Sequence, residues 1–234
     1  MSSPRWLTCM DAVDRFPNPN TALTEPNGLL AAGGDLEPNR LLGAYVRGIF
    51  PWYEQGQPIL WWSPDPRAVL WPAELHVSRS LKRSLIKGGF ELRVDSAFDQ
   101  VLAGCAAPRR YTDATWITAD MARAYGRLHR MGWAHSFETW RGGELVGGLY
   151  GVAIGRVFFG ESMFARVTDA SKVALVGMVR FLEQRGFALI DCQVASQHLT
   201  SLGARAIPRR EFLRLLALYC KPPGAPQFWR TAAP

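Results

Sequence analysis

Beyond residue 67 the apolar positions switch between helical spacing and strand-like runs. Ser78 is placed to cap a helix over Arg79–Lys87, which Gly88 and Gly89 stop. Glu91–Val94 reads as a short strand, and Thr118 caps a second helix, Ala119–Arg130, that ends at Gly132. Ala134–Trp140 has strand character. A turn at 141–144 follows it, and Leu145–Val152 and Val157–Gly160 continue an antiparallel meander. An amphipathic helix begins at Asp169 or Ser171 and runs to about Gln184, with Val173, Ala174, Leu175, Met178, Phe181 and Leu182 as its apolar positions. Residues 187–194 are apolar almost throughout and read as a buried strand. Helical patterns follow at Ser196–Leu202 and Arg210–Leu218. The layout is α/β (α+β). A hairpin, a long helix, a buried strand and a further helix is the core order of acetyltransferase-like (GNAT-like) mixed-sheet domains, which acylate amines.

The first 66 residues have a different character. Turn chemistry at Phe16-Pro-Asn-Pro-Asn20 and Glu25-Pro-Asn-Gly28 precedes a short helix over Pro38–Arg47, with Leu41, Leu42 and Tyr45 on its apolar side. Then Trp52, Trp61 and Trp62 fall within eleven residues, interrupted by Pro51, Pro58, Pro64 and Pro66. Proline fixes its own φ and biases its predecessor away from helix, so this stretch is a stiff, irregular scaffold. Its indoles either lock a small satellite core or stand as flat platforms for a planar partner such as a nucleobase. The expected division is a small N-terminal domain over residues 1–66 and a larger one over 67–234.

Charge sharpens this division. The net charge is +7, but residues 1–66 carry −3 (4 Lys/Arg against 7 Asp/Glu) and the remainder +10 (23 against 13). A basic excess in the larger segment points to a polyanion such as nucleic acid. Arg79, Lys82, Arg83 and Lys87 share one face of their helix, which is either solvated or a phosphate-contacting stripe. No run of 18 apolar residues is present, so a membrane span is excluded, and the N-terminus lacks a secretory stretch; the chain is expected in the cytoplasm. Cysteines at 9, 105, 192 and 220 and histidines at 76, 129, 135 and 198 have no metal-site spacing, so no metal is expected.

Two segments place carboxylates in apolar surroundings, where a charge is expensive unless hydrogen-bonded or paired. One is Phe158-Phe-Gly-Glu-Ser-Met-Phe164, with Glu161 after an aromatic strand. The other is Asp191-Cys-Gln193, where alternation sends Asp191 and Gln193 to one face and Cys192 to the other. Such an acid–amide pair can position an amine for attack; the alternative is that the acids cap helices or pair with arginine. Nucleophile elbows, P-loops and GxGxxG turns are absent.

These residues also carry a family likeness. Phe16–Asn20, Glu25–Leu36, Gly48–Arg67, Thr115-Trp-Ile-Thr118, Gly160–Phe164, Ala170–Leu175, Asp191–Gln193 and His198–Ala204 together resemble the leucyl/phenylalanyl-tRNA–protein transferases, over about residues 16 to 216. The resemblance implies a bacterial aminoacyltransferase of the N-end rule. It would move Leu or Phe, with Met as a further candidate donor, from tRNA to proteins with N-terminal Arg or Lys, without coenzyme A or another cofactor. The chain is expected to act as a monomer. It further implies that Trp52 and Trp116 stack on the tRNA's terminal adenosine. Leu149, Phe158, Leu175, Met178, Leu182 and Ile190 would form the side-chain pocket, with Glu161 beside it. Asp191 and Gln193 would serve catalysis, and Arg79, Lys82, Arg83 and Lys87 the acceptor stem. Three rival readings remain. A coenzyme A-dependent acetyltransferase is disfavoured because residues 164–171 contain no phosphate-gripping glycine. A non-catalytic RNA-binding module leaves Glu161 and Asp191 without purpose, and a peptidoglycan-bridge aminoacyltransferase differs in its acceptor.

Overall fold

The computed structural model describes residues 4–12, 15–107, 117–221 and 229. At the N-terminal end lie β1 (Arg5–Leu7), β2 (Leu29–Gly33), α1 (Pro38–Tyr45), β3 (Phe50–Pro51) and β4 (Leu60–Trp62). Their strands form a small sheet in the order β1-β2-β4-β3, with β1 parallel to β2 and the other pairs antiparallel. Helix α1 ends two residues before the expected Arg47, because the chain turns through Gly48 at φ +74°. A side chain there would meet Leu213, Phe212 and Leu216, so only glycine allows this turn to sit so close to the C-terminal helix.

The rest of the chain supplies β5 (Arg67–Leu70), α2 (Arg79–Lys87), β6 (Glu91–Val94), α3 (Phe98–Ala106), α4 (Ala119–Arg130), β7 (Ala134–Arg141), β8 (Glu144–Ile154) and β9 (Val157–Ala165). After these come α5 (Ala170–Gln184), β10 (Leu189–Gln193), α6 (Gln197–Ser201), β11 (Arg205–Ile207) and α7 (Arg209–Tyr219). The large sheet runs β11-β5-β10-β9-β8-β7-β6. All neighbours are antiparallel except β9 and β10, which α5 joins as a parallel pair. This is the mixed α/β layer expected from the hairpin–helix–strand order.

Local signals explain several boundaries. Ser78 Oγ accepts from Leu81 N at 3.2 Å, and Thr118 Oγ1 accepts from Met121 N at 3.2 Å, so both caps form where expected. Asp169 behaves differently. It takes φ +64° and directs its carboxylate to Ser84 Oγ (2.8 Å) and Lys172 Nζ (3.2 Å), tying α5 to α2 instead of capping its own helix. Strand β9 continues to Ala165, five residues past the expected Gly160, which puts Glu161 inside a strand.

Alternation along β8 divides the core. Leu149 and Ala153 belong to the cluster with Val173, Leu175, Met178 and Leu182 of α5. Tyr150, Val152 and Ile154 face the opposite way, into a cluster that joins α3, α4, α1 through Leu41 and the small sheet through Leu30 and Trp61. The small sheet therefore has no separate core among the described residues; it is packed onto one face of the large sheet.

Candidate active site

Strands β9 and β10 pair only as far as Phe159 and Asp191, then part. A cavity of about 280 Å³ opens where they separate, near the small end of the roughly 300–1,000 Å³ usual for small-molecule sites. Each strand carries one extra residue at this point. Tyr150 pairs with Ser162 and Gly151 with Gly160, leaving Glu161 bulged out of the β8–β9 ladder. Asp191 pairs with Val69 and Gln193 with Ala68, leaving Cys192 bulged out of β10–β5. Bulges re-aim side chains, and both bulged residues, with Gln193, line the cavity beside Asp191. The bulge also corrects the simple alternation expected for 191–193. Gln193 takes φ +60°, and Cys192 reaches the cavity wall instead of pointing away from it.

Asp191 is fully buried and forked onto Arg67. Arg67 Nε donates to Oδ1 at 2.8 Å and Nη2 to Oδ2 at 2.6 Å. Arg67 is itself buried, held 4.7 Å from the Phe50 ring and 4.6 Å from the Phe212 ring, and it donates to the Gly48 carbonyl at 3.1 Å. The Gln193 backbone N–H completes the carboxylate's shell at 2.9 Å from Oδ1. These bonds take up most of the carboxylate's acceptor sites, leaving little to bind a further cation. Its arrangement is the arginine pairing given as the alternative for a buried acid.

Glu161 is the other acid, and its environment is opposite in kind. Oε1 accepts from the Tyr45 hydroxyl at 2.8 Å and from Gln193 Nε2 at 2.8 Å; Oε2 accepts from the Tyr125 hydroxyl at 2.9 Å. The two hydroxyls lie 2.5 Å apart. Burial pushes the Glu161 carboxyl up to about 7, against the downward pull of the tyrosine hydrogen bonds. Burial, and then the Glu161 charge, raise both tyrosines well above their usual range, so they remain neutral donors. The net effect is a carboxylate near its midpoint at neutral pH that orients Gln193. With Nε2 committed to Glu161, the Gln193 carbonyl oxygen is free to accept.

The apolar wall comes from Leu149, Leu175, Met178 and Ile190, together with Met163 and Leu199. Phe158 and Leu182 are fully buried in the cluster behind it and are not part of the lining. Trp52 is 47% exposed, and Trp62 leans on it at 5.6 Å and donates Nε1–H to its carbonyl at 2.7 Å. Trp61 is wholly core, with its indole N–H on the Gly33 carbonyl at 2.9 Å. Trp116 lies outside the described residues. Arg79, Lys82, Arg83 and Lys87 are all exposed on α2. Among the described residues no group of three or more His, Cys, Asp or Glu is placed to hold a metal ion.

The sequence reading missed Arg67, Tyr125 and the hydroxyl of Tyr45. Arg67 left a trace, since it is a cation heading the apolar run Ala68-Val-Leu70 directly after Pro66. Tyr45 was legible only as an apolar helix position, and Tyr125 gave no signal beyond a hydroxyl on the buried side of its helix.

The family profile described as "Leucyl/phenylalanyl-tRNA protein transferase" matches residues 69–217, and the profile for its N-terminal domain matches 34–65. The chain is 60% identical over 225 residues to the leucyl/phenylalanyl-tRNA–protein transferase of Stutzerimonas stutzeri (strain A1501), covering 96% of this chain and 98% of that one. It is 64% identical over 201 residues to the Nitrosospira multiformis protein of the same name, covering 86% and 87%. Among solved structures, a GCN5-related N-acetyltransferase from Kribbella flavida aligns with a TM-score of 0.42 at 13% identity, over 72% of this chain and 60% of that one. From its near-complete alignment with these relatives and the match of both profiles, the chain belongs to the leucyl/phenylalanyl-tRNA–protein transferase family.

Proposed function

We propose that this protein takes Leu or Phe, with Met as a further candidate donor, from its tRNA and joins it to the α-amine of proteins that begin with Arg or Lys, creating an N-terminal degradation signal. The observation that carries the reading is the splayed-strand cavity, with an apolar wall sized for one side chain and a polar edge at Glu161 and Gln193. The acyl side chain occupies the wall formed by Leu149, Leu175, Met178 and Ile190. Gln193 Oε1 accepts a hydrogen bond from the attacking amine, because Glu161 holds the amide's other end.

The donor is an activated ester, so no nucleoside triphosphate is needed. An α-amine has a reference pKa near 8, so a useful fraction is neutral at pH 7. Aligning amine and ester can contribute roughly 7–11 kcal/mol. Asp191 then acts as a positioning residue, fixing Gln193 through its backbone N–H and Arg67 through the fork. Trp52, with Trp116, stacks on the terminal adenosine, while Arg79, Lys82, Arg83 and Lys87 contact acceptor-stem phosphates. Among the described residues no helix is long and apolar enough to cross a membrane. We assign the protein to the cytoplasm, as a monomer of two domains divided near residue 66.

The test incubates the purified protein with radiolabelled Leu-tRNA and a protein bearing N-terminal Arg, without ATP. Label in the acceptor is expected. No transfer there, but transfer to a peptidoglycan precursor amine, would move the assignment to bridge-forming aminoacyltransferases.

A further inference from the structure

One side chain of the cavity has no place in this account. His198 sits on α6, whose first turn is fixed by Ser196 Oγ accepting from Leu199 N at 3.2 Å, and it lines the same cavity as Glu161, Asp191 and Gln193. Its Nε2 is sealed from solvent and has no hydrogen-bond partner among the described residues. A buried polar atom left unpaired in a native structure costs free energy, so such atoms in cavities mark places where a ligand completes the pairing. Resting on the acyl-transfer reading, we infer that His198 is a catalytic residue that takes the proton from the attacking amine and returns it to the departing ribose oxygen.

The surroundings suit that role. Burial, and then the positive charge of Lys172 on α5, lower the affinity of His198 for a proton, so the imidazole is neutral at pH 7 and able to accept one. The other titratable groups around the cavity are Tyr150 on β8, kept neutral by burial, Glu161 on β9, and Asp191 and Cys192 on β10. Asp191 is consumed by Arg67, and burial raises the Cys192 thiol, which keeps it protonated. The histidine ion pairs among the described residues are those of His129 and His135 with Asp95.

The step balances. The amine lone pair forms the C–N bond as the carbonyl π pair moves onto oxygen, and Nε2 takes one N–H proton. The C–O bond to the ribose then breaks, its electron pair stays on the ribose oxygen, and the imidazolium delivers the proton there. No proton is gained or lost overall, and Gln193, a poor base, only orients the nitrogen.

The experiment measures single-turnover transfer at saturating Leu-tRNA for the wild type, His198→Gln and His198→Ala, with aminoacyl-tRNA binding measured separately. Both variants are expected to bind the charged tRNA as the wild type does while losing about 10²–10⁴-fold in rate. Added imidazole is expected to restore the rate of His198→Ala in proportion to its concentration. A loss below about tenfold in both variants, or a loss residing wholly in tRNA affinity, would overturn the proposal. A wild-type protein inert toward both Leu-tRNA and Phe-tRNA would instead overturn the functional reading on which it rests.

Discussion

Replacing Asp191 by asparagine is expected to weaken the fold before it informs on catalysis. The substitution removes one side of a fully buried, two-bond ion pair and leaves the Arg67 guanidinium enclosed between Phe50 and Phe212 with no counter-charge. Breaking a buried pair in this way costs about 3–5 kcal/mol, chiefly the penalty of the stranded charge. For a chain of this size each kcal/mol lowers Tm by about 2–4 °C, so a fall of roughly 6–20 °C is expected. Arg67→Met should be at least as severe, since it also forfeits the Gly48 carbonyl bond and the packing between the two rings. Arg67→Met combined with Asp191→Leu should recover much of either loss, because no charge is then left unpaired. Urea denaturation of the wild type, Arg67→Met, Asp191→Leu and the double variant gives the coupling energy directly. If Asp191→Asn is less than about 1 kcal/mol less stable than the wild type while transfer is abolished, the pair is not structural, and Asp191 returns to the reaction itself.

The remaining predictions address the other parts of the site. Glu161 binds its proton more tightly folded, at about 7 against 4.5 unfolded, so between those values the native state holds more protons and stability falls as pH rises, by up to about 3 kcal/mol. Glu161→Gln should flatten that decline; an unchanged difference in urea midpoint between pH 5 and pH 8 would show that the carboxylate is not desolvated. Leu175→Ala should cost about 2–5 kcal/mol of stability and enlarge the cavity, shifting the kcat/KM ratio toward Phe-tRNA over Leu-tRNA by about tenfold. A ratio that does not move means the acyl side chain lies elsewhere. Reversing Arg79, Lys82, Arg83 and Lys87 to glutamate should weaken tRNA binding and flatten its dependence on salt, each lost phosphate contact removing about 0.7–0.9 from the log–log slope. An unaltered slope removes α2 from the tRNA-binding surface.

Elements with punctuated ends were legible in the sequence, and the site's finer geometry was not. Helices α2 and α4 match their expected bounds because Ser78 and Thr118 cap them and glycines follow them. Helix α3 escaped notice because Ala97 precedes it without a capping side chain and Gly104 interrupts its pattern. Strand β5 was hidden for another reason. It is four residues long and follows Pro64 and Pro66, so it read as the end of a turn region, yet it is an interior strand between β11 and β10 and brings Arg67 to Asp191. The pocket residues Leu149, Leu175, Met178 and Ile190 were accessible through the resemblance, since apolar patterning says which face is buried but not where a buried face is left unfilled. Bulges depend on pairing with a partner strand, which no local pattern reveals. Glu161 and Cys192 could therefore be noticed as chemistry but not placed.

Because Glu161 and Cys192 are each surplus to their ladders, the protein should be unusually sensitive to a change that substitution scanning never samples. Deleting Cys192 would let Gln193 fall into step with Asp191 opposite β5, and deleting Glu161 would do the same for β9 against β8. The first loss removes only a bulge and the second also takes away the carboxylate that holds Gln193; each would re-register a strand beside the cavity, leaving a well-knit sheet whose mouth is no longer shaped to seat an acyl group.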